Sequence, residues 1–264
     1  LERTVSAADA VLTAPGTATP LLDGMPRQRA APLPVAPSAP PAPAPAAPAA
    51  RPGVRPQGLL PTLADTPFTL GYAAVLVVTS LFAQYADPSL VHTLYQESST
   101  DVAHLVSSPV LVLVASALWI AGGLTSSYAL LFLLVLPTLE RRIGGPRTAV
   151  VFLLGHVLAT LATEVPVGLA VMAGHLPDSS LHRLDYGISF GVAASIGALA
   201  GLLPPWARWT VLTVFGGILL DDLAQFTDPL SDWGHLLSLA IGMGTWPWVR
   251  RWQWAGRQDA RAHG

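Results

Sequence analysis

The sequence contains no cysteine and no lysine, and only 11% of its 264 residues are charged. Each shortage excludes something. Without cysteine there is no disulfide, iron–sulfur cluster, thiolate zinc site or thiol nucleophile, and the redox compartment is not readable. Without lysine, all 14 basic residues are arginine, and a net charge of −2 offers no basic footprint for nucleic acid. Soluble domains carry roughly 25% charged residues, so this chain has too little polar surface to clothe a soluble body. With 52% hydrophobic residues, an integral membrane protein is what remains.

Proline is plentiful but unevenly placed. Fifteen of the 25 lie in residues 1–67, densest from Ala31 to Pro56, where they alternate with alanine and no aromatic residue intervenes. Proline removes backbone donors and alanine offers little apolar area, so such a segment cannot offset its ordering entropy. The expected organisation is a disordered, locally extended cytoplasmic tail over 1–66, a membrane domain over 67–250 and a short basic cytoplasmic tail over 251–264. The opening residues lack the positive start and apolar core of a signal peptide.

From Pro67 onward apolar stretches alternate with short polar punctuation. A membrane span needs about 20 mostly apolar residues. The candidates are Phe68–Ala86, Leu124–Leu139, Arg147–Val171, Tyr186–Leu203, Trp206–Leu220 and Trp233–Val249, with Val110–Ile120 too short to span and read as an interfacial or re-entrant piece. Threading six spans with both ends inside places every arginine except Arg183 on one side, and Asp87, Glu97, Asp101, Asp178, Asp185, Asp221, Asp222, Asp228 and Asp232 on the other. One miscounted span would destroy that segregation. Seven tryptophans (206, 209, 233, 246, 248, 252 and 254) fall near predicted helix ends, as interfacial anchors do. The expectation is an all-α, six-span cell-membrane protein in contact with the lipid bilayer, with cytoplasmic termini, no cofactor and no metal.

Polar residues inside these spans are the candidates for chemistry. The fourth opens Asp185-Tyr186-Gly187-Ile188-Ser189-Phe190-Gly191, and the sixth opens Asp232-Trp233-Gly234-His235. Ser189 and His235 should each lie about one helical turn, roughly 5 Å, inside the outer mouth of their helices. A serine hydroxyl is a weak nucleophile until a base takes its proton, and imidazole titrates in the useful range. Glycine and alanine around both residues allow the close helix approach a Ser–His pair requires, although the same small residues also pack helices without any chemistry. Asp232, three residues before His235, is placed to orient the imidazole or to stand solvated at a helix start. His156 and Glu164 on the third span read as functional candidates or as interhelical hydrogen bonds.

These residues, in this order on a six-span frame, resemble the rhomboid family of intramembrane serine proteases over roughly residues 67–249. Ser116-Ala117-Leu118-Trp119 through Leu139-Glu140-Arg141-Arg142-Ile143-Gly144 is similar to the family's first outer loop and second helix, with its closing Leu-Glu-x-x-x-Gly turn. Gly187-Ile188-Ser189 resembles the Gly-x-Ser-Gly nucleophile site, and Gly234-His235 followed by Gly242 and Gly244 resembles the histidine of the sixth helix. The resemblance implies cleavage of transmembrane substrates near one membrane face by a Ser189–His235 dyad, through an acyl-enzyme and without cofactor. It implies supporting or oxyanion roles near Gly187 and Phe190. Two departures stand out: Phe190 replaces the glycine after the serine, and Leu124–Ala129 lacks the family's second-helix His and Asn. The departures leave room for an inactive relative that binds transmembrane client segments.

Overall fold

Proline sets helix starts throughout the chain. The structure, a computed structural model, describes residues 61–262 except 63, with side chains through 258; most of the expected tail, residues 1–60, lies outside the described residues. Among these residues ten α-helices follow in order: α1 Pro67–Tyr85, α2 Pro88–Glu97, α3 Val102–Ser107, α4 Pro109–Ser116, α5 Ser127–Ile143, α6 Gly145–Met172, α7 Ser189–Ala200, α8 Pro205–Gln225, α9 Pro229–Gly244 and α10 Trp246–Ala262. No strand occurs among the described residues. In α1, α2, α4, α6, α8 and α9 a proline occupies the first or second helical position, where its missing N–H would have had no intrahelical partner anyway. Asp87, Asp101, Ser126 and Asp228 cap α2, α3, α5 and α9 by accepting from backbone N–H groups.

The first five expected spans each overlap one α-helix and the sixth overlaps two; α1 and α6 are long and apolar enough to cross a membrane. Helix α1 exposes Val75, Val77, Val78, Leu81 and Phe82, a face suited to lipid. The region between α1 and α5 is more helical than expected. Helices α2 and α3 precede the apolar run, and α4 takes up its first part before a turn through Gly122 and Gly123, both with left-handed φ. The run Trp233–Val249 is broken: α9 ends at Gly244 and α10 starts at Trp246, carrying helix to Ala262 within the expected basic tail.

Helix α7 is the hub. From Phe190 to Ala198 every residue is buried, and α6, α9 and α5 pack around it. Its small side chains make this possible, because neighbouring backbones reach van der Waals contact. At Ala194 the crowding is greatest: a Cβ at Gly155 of α6 would fall 2.0 Å from the Ala194 Cβ, and one at Gly242 of α9 would fall 2.0 Å from the Ala194 carbonyl oxygen. Gly242→Ala is therefore expected to destabilise the fold by about 3 kcal/mol, since a backbone oxygen cannot step aside. Gly244→Ala is the control, having open space around it; thermal unfolding in detergent should separate the two variants.

The arginine-rich end of the bundle caps α7. Its last carbonyls have no intrahelical donors. Arg208 of α8 donates to Ala200 O and Leu203 O at 3.1 and 3.0 Å, Arg250 of α10 donates to Gly201 O at 3.1 Å, and Arg142 of α5 donates to Leu202 O at 2.7 Å. Trp246 lies between Arg208 and Arg250, with both guanidinium carbons within 5.2 Å of its ring centre, and donates its own N–H to Gly197 O. Cations at a helix C-terminus also complement its dipole. Trp206, Trp209, Trp233, Trp248 and Trp254 are exposed, as anchors should be, whereas Trp246 is a packing residue.

Candidate active site

Ser189 is the first residue of α7, with Ile188 as N-cap. The chain from Arg183 to Ile188 is not helical, so Ser189 stands at the helix mouth itself and not one turn inside it. This differs from the sequence reading because the preceding segment is fastened elsewhere. Thr100 N–H donates to Asp185 O, Asp185 N–H to Ser99 Oγ, and Gly187 N–H to Ser116 O at 3.0 Å. Those bonds use backbone groups a helix would have claimed. Gly187 adopts φ +123°, a value L side chains rarely take, and it redirects the chain into α7.

Arg183, the one arginine among the described residues that lies away from the arginine-rich end, ties this segment down. Its guanidinium lies 2.7 Å from Glu164 Oε1 on α6, 3.6 Å from Asp185 Oδ2 and 3.5 Å from Asp228 Oδ1, and donates to Ser231 Oγ on α9. Burial pushes the Asp185 carboxyl above its usual range against the opposing pull of Arg183. Glu164 is 1% exposed. Arg183→Ala should therefore cost about 3–5 kcal/mol, most of it from stranding a buried carboxylate. Adding Glu164→Gln should recover part of the loss in the same unfolding measurement. His156 is likewise structural in its contacts: Nε2 lies 3.0 Å from Ser116 Oγ and 3.1 Å from Leu113 O, pinning the end of α4 to α6.

His235 sits in the second turn of α9, between two rings. Tyr128 of α5 stacks on it at 5.0 Å and 22°, and Phe190 of α7 meets it edge-on at 5.2 Å. Phe190 also packs against Gly234, where any side chain would collide with its ring. Thus the residue after Ser189 touches the imidazole. Among the described residues, no hydrogen bond joins Ser189 or Asp232 to His235, and His235 Nε2 and Asp232 Oδ2 are buried without a hydrogen-bond partner. Ser189 itself is half-buried. The Tyr128 contact was not legible in the sequence, although its place in the stretch lacking the family's His and Asn marked the position.

Tyr128 also lines an apolar groove of about 550 Å³ between α5, α7 and α8, with Leu131, Val211, Phe215 and, near its polar end, Ser127 and Asp222. Imidazole and groove therefore share one wall. The rhomboid-like protein family matches residues 62–255, most of the chain. The chain belongs to the rhomboid-like protein family. No curated protein and no solved structure matches it. Rhomboid-like membership makes this a membrane protein, and the all-helical fold agrees. Among the described residues no group of His, Asp and Glu is arranged to hold a metal ion.

Proposed function

We propose that this rhomboid-like protein is an intramembrane serine peptidase of six spans with cytoplasmic termini, in which Ser189 attacks a substrate peptide bond and His235 accepts its proton. The observation that carries this reading is a buried imidazole nitrogen without a hydrogen-bond partner, on a helix packed directly against the one that Ser189 begins. A hydroxyl is the partner such a nitrogen lacks, and apo dyads commonly tighten only when substrate binds. The start of α7 supplies a further element. Its first N–H groups, those of Ser189, Phe190 and Gly191, have no carbonyl one turn back within the helix, and the helix dipole adds partial positive charge. Donors at this position favour a tetrahedral oxyanion and offset the missing His and Asn of the second helix. The substrate is a transmembrane helix of another protein, received in the α5–α8 groove whose wall Tyr128 shares with His235.

A second reading is an inactive protein that binds transmembrane client segments. It is favoured by the two rings that crowd the imidazole, Tyr128 stacked on it and Phe190 edge-on to it. Reconstitution with single-span reporter proteins separates the readings. A peptidase yields a discrete cleavage product and fluorophosphonate labelling; a binder co-purifies with the reporter uncleaved and stays unlabelled.

A further inference from the structure

The arginine-rich end contains a second cavity, of about 780 Å³, between the ends of α5 and α6 and the helix α10. Arg141, Arg142, Arg147 and Arg257 line it, and among the described residues the acids that line it are Glu140 and Asp65. Neither acid pairs with Arg142, Arg147 or Arg257. Glu140 directs its oxygens at α1, accepting from Phe68 N–H at 2.9 Å, Thr69 N–H at 2.8 Å and Thr69 Oγ1 at 2.6 Å. Asp65 is exposed and accepts from Thr62. Among the described residues, no carboxylate lies within ion-pair distance of Arg142, Arg147 or Arg257.

The guanidinium groups are nonetheless held in place. Arg142 Nη1 donates to Leu202 O, and Arg147 Nη1 donates to Trp252 O at 3.3 Å while its guanidinium lies over the Trp252 ring. One nitrogen of each is committed, and the remaining N–H groups are free to form the paired bonds that phosphate oxygens accept. We infer that this cavity binds the phosphate of an anionic phospholipid headgroup. Its place at the end of membrane helices puts it at headgroup depth, where basic pockets between helices attract acidic lipids. Its volume falls in the range of small-molecule sites and far exceeds one inorganic phosphate. The site lies at the opposite end of α7 from Ser189 and stands independently of any chemistry there.

Native mass spectrometry of the full chain in neutral detergent tests this, with phosphatidylglycerol, phosphatidylcholine and inorganic phosphate as separate arms. Retained phosphatidylglycerol adducts, with little phosphatidylcholine, are expected. Each arginine removed should weaken phosphatidylglycerol binding about fivefold. Arg257→Gln tests this without touching a hydrogen bond that holds α7, and Arg142→Gln combined with it should give about 25-fold. Equal retention of both lipids, full affinity in Arg257→Gln, or competition by millimolar inorganic phosphate that empties the site would each overturn the assignment.

Discussion

Ser189→Ala should abolish fluorophosphonate labelling and lower cleavage of a single-span reporter by roughly 10⁴-fold or more, the scale seen when a nucleophile is removed from a hydrolytic unit. The fold should not notice. Ser189 is half-buried, its hydroxyl makes no hydrogen bond among the described residues, and alanine tolerates a first-turn position well. His235→Ala should abolish cleavage to a similar degree, but it also removes the ring between Tyr128 and Phe190, so only the serine variant separates chemistry from packing. Reporter binding should survive in Ser189→Ala, because the α5–α8 groove is untouched. A wild-type protein that neither labels nor cleaves would remove the peptidase reading and leave the binder.

Glu140→Ala should be the most destabilising single change at the arginine-rich end. The carboxylate is 3% exposed and gathers three donors from the start of α1, two of them backbone N–H groups at a helix N-terminus where no carbonyl is available. Removing it leaves those donors buried and unmatched, at about 1–3 kcal/mol each, for a total near 5 kcal/mol. Glu140→Gln should cost much less, since an amide oxygen still accepts one or two of the bonds. Chemical denaturation in mixed micelles, followed by tryptophan fluorescence, distinguishes the two. The expected defect is release of α1 from α5, because Glu140 is the polar link between them.

Particular residues show how far the sequence could be read. The Leu-Glu-x-x-x-Gly turn was visible as a motif, but that Glu140 fastens α1 was not, since its partners lie 71 and 72 residues away. Gly187 was singled out as a supporting residue, and its positive φ gives a reason for glycine there. Helix α7 starts about a turn later than the apolar pattern implies. Asp185-Tyr186-Gly187 has no local feature forbidding helix, and only hydrogen bonds to Ser99, Thr100 and Ser116 hold it extended. Similarly, Trp233–Val249 reads as one apolar run, and its break at Thr245, between α9 and α10, lies where Trp246 turns aside to meet Gly197.

Composition and order by themselves determined that this is a helical membrane protein, and its motifs carried the resemblance to rhomboids: charge scarcity forbids a soluble body, proline and aspartate mark helix starts, and glycine spacing dictates which faces can approach closely. Tertiary structure alone decided what surrounds each polar group. The stacking of Tyr128 on His235, the four-way tie of Arg183 and the hold of Glu140 on the start of α1 join residues far apart in the chain. Periodicity reports the face a residue occupies on its own helix, whereas these contacts depend on how the helices are packed around α7.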